Sequence, residues 1–228
     1  MTRLVNLGLV FTSPSAVART VIDDPHWIIP LVVVLAVSCI TTIATYEYQV
    51  KFQREFVGEM ITERNPDADL DEMFAVTTSK QVRAGVGAVV FGGVVILVFA
   101  AVLKGAAAVA GGQVGFRRMF AFVCYSSVIS ALGSLVKVPL VLAKGSIDVR
   151  TSLAALAPSM DLRSPAAVVL GSFDIFAIWQ LVAVCFGFSV LTGLGIKKSS
   201  GIIVGLWAIL IVIRIGLAML PGLVGGSQ

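Results

Sequence analysis

Five long apolar stretches decide what this chain can become. They run from Trp27 to Tyr46, from Gly85 to about Leu103 with an Ala-rich continuation to Ala110, from Met119 to Ala143, within Ala166 to Ile196, and from Gly201 to Leu223. Each supplies the roughly 20 apolar residues that a helix needs to cross a bilayer core. In hydrocarbon a chain must satisfy its backbone hydrogen bonds internally, which leaves helices or closed barrels. Barrel strands alternate polar and apolar residues over about ten positions, whereas these runs are apolar on every side. The expected fold is all-α: a polytopic membrane protein, a bundle of five transmembrane helices with short interfacial helices.

Composition agrees. Hydrophobic residues make up 57% of the 228 and charged residues 13%. A soluble globule needs a polar shell, and 17 Lys/Arg with 13 Asp/Glu could hardly cover one. The net charge of +4 therefore reads as membrane topology. The lipid bilayer is the expected partner, and no nucleic acid is expected.

Residues 1–26 read as an interfacial leader and 27–223 as a single five-helix transmembrane domain, followed by a C-terminal tail at 224–228. No signal peptide is expected, because Asp23 and Asp24 stand directly before the first apolar run. In the leader, Ser13-Pro14 is a good helix start. Val17, Val21 and Ile22 would lie on the membrane surface, with Arg19 reaching outward. Arg117-Arg118 and Lys197-Lys198 are basic pairs in short loops on the N-terminal side, with no acid beside them. The segments 47–84 and 144–164, on the other side, carry eight Lys/Arg and ten Asp/Glu. Short basic loops stay inside. The expected placement is the plasma (bacterial inner) membrane, with the N-terminus cytoplasmic and the C-terminus outside.

The segment 47–84 is an external loop with helical content. Phe52, Phe56 and Met60 recur every four residues, with Val57 and Ile61 beside them, which is one apolar helical face. A second short helix is expected to start at Asn65-Pro66, with Asn as its cap, and to present Leu70, Met73 and Phe74. Asp67, Asp69 and Asp71 mimic the start of a calcium loop, but the sixth and twelfth positions are Glu72 and Thr78 where such a loop needs Gly and Glu. An acid-rich helix start is the better reading.

Ionisable groups at membrane depth are costly and mark the first place to look for function. Lys104 falls near a span end and snorkels to the headgroups. Lys137, Asp174 and Arg214 form the candidate intramembrane polar site. At about 1.5 Å per residue they stand roughly 27, 33 and 20 Å from the cytoplasmic ends of their spans, all in the outer half or near the outer interface. Asp174 is expected to pair with Arg214 or with Lys137. A structural ion pair, separate snorkelling and a transport site are the three readings of the group.

Ser126, Ser130 and Ser134 on the third span, and Gly201 and Gly205 on the fifth, form small-residue faces for helix packing. They fit packing within one chain or association with a second copy or another membrane protein. Pro139 is expected to kink the third span. The fourth run exceeds one crossing and must tilt or break, with the break expected near Gly171-Ser172. No cofactor, metal or catalytic constellation is expected. Cys39, Cys124 and Cys185 lack paired spacing, His26 is the single histidine, and neither Lys197-Lys198-Ser199 nor the Gly111–Gly115 turn carries a phosphate-binding frame.

Dispersed motifs carry a family resemblance. Phe11-x-x-Pro14 is followed by Asp24-Pro25-x-Trp27-x-x-Pro30 at the first span. Gly115-Phe116-Arg117-Arg118-x-Phe120 leads into Tyr125-Ser126, and Phe173-Asp174-Ile175-Phe176-x-Ile178-Trp179 runs on to Gly187 and Lys197-Lys198. Over nearly the whole chain this resembles the Yip (Ypt-interacting protein) domain family of five-span membrane proteins, in its bacterial branch. Where that family often has Pro in the third span, this sequence has Val128 and Ile129. The resemblance implies a multi-pass bundle with a cytoplasmic N-terminus. Eukaryotic relatives act in early secretory vesicle traffic and contact small GTPases of the Rab class. That role rests on a long cytoplasmic domain that this sequence does not display, and the resemblance implies no assigned reaction for bacterial members. The expected function is a non-enzymatic integral membrane protein that organises membrane or scaffolds partners. The rival is a small transporter or lipid-handling protein using Lys137, Asp174 and Arg214.

Overall fold

Helix-forming apolar sequence, punctuated by Ser, Pro, Asp and Gly, gives an all-α chain. The computed structural model describes residues 2–147, 149, 152–156, 160 and 164–225. The tail beyond residue 225 and part of the loop at 144–164 lie outside the described residues. The helices are α1 (Thr2–Thr12), α2 (Pro14–Asp23), α3 (Ile28–Arg64), α4 (Leu70–Met73), α5 (Thr78–Val109), α6 (Phe116–Lys144), α7 (Pro165–Ser172), α8 (Ile175–Thr192) and α9 (Ile196–Gly225), with a 3-10 turn at Leu153–Leu156. Five stretches are long and apolar enough to cross a membrane: Ile28–Glu55, Thr78–Val109, Phe116–Lys144, Ile175–Thr192 and Ile196–Ala218. These are the five expected spans.

The boundaries follow local chemistry. The helix of the first span does not stop at Tyr46 but continues to Arg64. Glu47 and Lys51, one turn apart, form an ion pair of 3.0 Å, and neither Gly nor Pro stands between Tyr46 and Gly58. The short helix that follows starts later than expected. Its cap is Asp69, not Asn65, and the Asp69 carboxylate accepts from the Asp71 and Glu72 amides. Asp71 then pairs with Arg54 at 2.6 Å, and the Lys80 ammonium donates to the Glu72 and Met73 carbonyls at 2.9 and 3.2 Å. The acid-rich segment is thus a capped helix start tied to α3 and α5. The α6 helix carries on through Pro139 to Lys144.

The chain divides into two compact units, and α3, α5 and α6 each contribute to both. Unit 1 comprises residues 1–31, 96–130 and 150–228. At its centre is the segment of α6 from Met119 to Ile129, where Met119, Phe122, Cys124, Tyr125 and Ile129 are all 0–1% exposed. The α2 helix packs along α8, and Val17, Ala18 and Val21 are fully buried. The apolar face expected to rest on the membrane surface therefore meets protein, while Arg19 is exposed. Arg3, at the start of α1, pairs with Asp24 just past the end of α2 at 2.9 Å. These contacts close α1 and α2 into a hairpin.

Unit 2 comprises residues 32–95 and 131–149. Here α3 and α5 approach closely. A Cβ on Gly85 would lie 2.9 Å from the Ile43 side chain and 3.2 Å from the Cys39 sulfur. The Gln81 amide donates to the Ile43 carbonyl at 2.9 Å.

Candidate functional site

Asp174 sits where the fourth apolar run breaks, two residues beyond the expected Gly171-Ser172. The α7 helix ends at Ser172 and α8 begins at Ile175. Asp174 has extended backbone, with ψ of 142°, and its carboxylate accepts from the Phe176 and Ala177 amides at 2.9 and 3.4 Å. It is 8% exposed. An isolated antiparallel bridge joins it to Ser152, and the Leu153 amide donates to the Phe173 carbonyl at 3.4 Å. Breaking a helix leaves orphan backbone groups. The Asp174 carboxylate answers two of the amides, and the Leu153 amide answers the Phe173 carbonyl. A carboxylate also suits the positive end of the helix dipole.

Arg214 stands on α9 as an exposed residue, and among the described residues no ion pair joins it to Asp174. Lys137 is half-buried in unit 2 and lines a cleft. The three residues singled out by depth therefore have three different settings.

The small residues also divide. Ser126 is buried and donates to the Val123 carbonyl at 3.0 Å. Ser130 donates to the Gln180 side-chain oxygen of α8. Ser134 lines the same cleft as Lys137. Gly201 and Gly205 are exposed, with open space where a Cβ would stand. Among the described residues the closest glycine approach lies elsewhere, at Gly187 of α8, where an added Cβ would overlap the outer edge of the Phe122 ring. Nothing in helical spacing marks that glycine, since its partner comes from another helix.

The cleft has a volume of about 450 Å³. From α3 it is lined by Thr41, Thr42, Thr45, Gln49, Phe52 and Gln53, and from α6 and the segment after it by Ser134, Lys137, Val138, Val141 and Ile147. The α3 residues recur at helical spacing on one face. The Thr45 hydroxyl donates to the Thr41 carbonyl at 2.8 Å, and the Gln49 amide donates to the Thr45 hydroxyl at 2.8 Å. The first span thus carries a polar stripe that its high overall hydropathy conceals.

The dispersed motif residues come together in unit 1. The Trp27 ring meets Phe120 edge-on at 5.5 Å, and Phe120 stacks on Phe116 at 5.9 Å. The Tyr125 hydroxyl donates to the Arg3 carbonyl at 3.5 Å, beside buried Asn6. The Trp179 indole donates to the Phe11 carbonyl at 3.1 Å. Phe173 meets Trp207 edge-on at 5.1 Å. At the α8–α9 turn, Gly193 takes a φ of 71°, and the Lys198 ammonium donates to the Ala110 carbonyl at the end of α5 at 2.7 Å.

A Yip1 domain matches residues 8–217. The chain belongs to the Yip1 domain family. It is also 27% identical over 195 residues to "Membrane protein YknW" of Bacillus subtilis (strain 168), covering 84% of this chain and 80% of that relative. No solved structure matches the chain. In this Yip1 domain the motif residues are fastenings: Trp27, just before α3, meets Phe120 of α6, Tyr125 and Trp179 tie α6 and α8 to α1, and Lys198 ties α9 to the end of α5. The protein is an integral membrane protein with five candidate spans in contact with lipid.

Proposed function

We propose that this Yip1-domain protein works without chemistry of its own, organising the membrane around it or scaffolding partner proteins. The observation that supports this reading is how the polar groups in and beside the candidate spans are used. Asp174 caps α8, Ser130 fastens α6 to α8, and Tyr125 and Trp179 hold the α1–α2 hairpin by its carbonyls. Such groups fix helix positions. The open Gly201/Gly205 face of α9 adds a surface that another helix, from a second copy or a different protein, could approach closely. The setting would be the plasma membrane, with the N-terminus cytoplasmic as the short basic loops imply. No nucleic-acid role is proposed.

A lipid-handling protein is the second reading, favoured by the cleft around Lys137. Reconstitution into liposomes separates the two. The scaffold reading expects neither ion nor fluorescent-lipid flux above protein-free vesicles. Flux that falls on Asp174→Asn or Lys137→Gln would overturn it in favour of transport.

A further inference from the structure

We propose that the α1–α2 hairpin is a re-entrant wedge. It enters one leaflet, on the side of the α8–α9 turn, turns back at mid-depth and favours membrane that is convex on that side. The proposal rests on the membrane-organising reading and gives that reading a device. Four observations carry it.

The first is depth. Gly187 of α8 meets Phe122 of α6, and Gln180 meets Ser130. The two helices are therefore antiparallel, with the C-terminal end of α8 about level with the start of α6. Trp27 meets Phe120 about 6 Å in from that start, and aromatic residues gather at the boundary of the hydrocarbon. Trp179, which holds Phe11 beside the corner, lies about 20 Å in. The corner is thus about 14 Å past the boundary, close to the middle of a core about 30 Å thick.

The second is charge. Between Arg3 and Asp23 the chain carries one charged residue, Arg19. It stands about 7 Å back from the corner, and its long stem extends toward the headgroups. The Arg3–Asp24 pair lies at the open end of the hairpin, on the boundary side.

The third is the backbone of the corner. In hydrocarbon a helix can break only where the freed polar groups find partners. The Phe11 carbonyl accepts from the Trp179 indole at 3.1 Å, and the Ser13 amide donates to the Leu9 carbonyl at 2.7 Å. Pro14 has no amide to satisfy.

The fourth is the outer face of α1. The α1 helix packs on α2, and α2 on α8. Leu4, Val5, Gly8 and Thr12 fall on one face of α1 and are exposed, Leu4 at 65% and Val5 at 53%. The occupant is acyl chain, the same lipid that covers the exposed Ile178 and Val182 of α8 at this depth. Two helices, each about 10 Å across, enter one leaflet and stop. Their volume expands that leaflet alone, and the bilayer relieves the imbalance by bending toward it.

The test uses the full-length chain with Cys39, Cys124 and Cys185 changed to Ala, in phosphatidylcholine vesicles. A bimane on Ser13→Cys should be quenched more by bromines deep in the acyl chains than by a headgroup-level quencher. Asp23→Cys should show the reverse. For curvature, Gly195→Cys at the α8–α9 turn is labelled with an impermeant dye, which marks only molecules with that turn outward. These should be enriched, relative to a lipid dye, on nanotubes pulled from giant vesicles. A Cβ on Gly8 meets open space, so Leu and Asp both fit there. Gly8→Leu should keep the enrichment, and Gly8→Asp should lose it, because a carboxylate is costly in hydrocarbon. Shallow quenching at Ser13→Cys, absent enrichment, or equal enrichment of the two Gly8 variants would overturn the proposal. The proposed function is tested by flux, which none of these readouts measures, so the two fail separately.

Discussion

Asp174 and Gly187 carry the sharpest consequences at the scale of single residues. Asp174 caps α8 through its side chain, and Asn caps about as well as Asp. Asp174→Asn should therefore keep the melting temperature in detergent near that of the wild type, while Asp174→Ala should lose about 1 kcal/mol. Equal losses in both variants would mean that charge, not capping, is what Asp174 supplies. Gly187 leaves room for the Phe122 ring. Gly187→Ala should cost about 1–3 kcal/mol by overpacking. Because the strain resides in one pair, Phe122→Leu in the same chain should recover part of that loss, giving a non-additive double-mutant cycle. Depth in the sequence singled out Asp174, but counting residues along a span says nothing about the direction of a side chain. That is why it did not reveal a cap, and why Gly187 stood out only as a motif letter.

At the scale of elements, the spans were legible and their partners were not. Length and hydropathy suffice to find α3, α5, α6, α8 and α9, because a bilayer-length apolar run has few other solutions. The α2 helix shows the limit. Val17 and Val21 form an apolar face that has the same pattern whether it meets lipid or a neighbouring helix, and here it meets α8. The bond from Trp179 to Phe11 places the α1–α2 corner about 20 Å along α8 from its C-terminal end. This position yields a prediction. In a chain with Cys39, Cys124 and Cys185 changed to Ala, Ser13→Cys at the corner should react slowly with a membrane-impermeant thiol reagent. Asp23→Cys at the open end of the hairpin should react fast. The reverse order would remove the hairpin from the side of α8. In unit 2, the polar stripe of Thr41, Thr45 and Gln49 was hidden for a related reason. Averaged hydropathy counts residues and discards the face on which they lie.

At the scale of the whole molecule, five crossings would put the two termini on opposite sides of the membrane. Reporter fusions at either end should give opposite signals, with the N-terminal fusion on the cytoplasmic side. Like signals from both fusions would require one of the five candidate helices to stay out of the bilayer. The family match over residues 8–217 covers the α1–α2 hairpin along with the spans, apart from its first residues. The hairpin therefore belongs to the unit that the family shares.

The central place of α6 has a consequence for how the chain is made. Its apolar window has a mean hydropathy of 1.9, the lowest of the five, and 67% of that window ends up buried. The partners that cover Phe122 and Ser130 on the α8 side, Gly187 and Gln180, lie about fifty residues or more further along the chain. During synthesis this helix is therefore made before α8 exists to shelter Ser130. Unit 1 thus has at its centre a segment of the candidate span with the lowest mean hydropathy of the five.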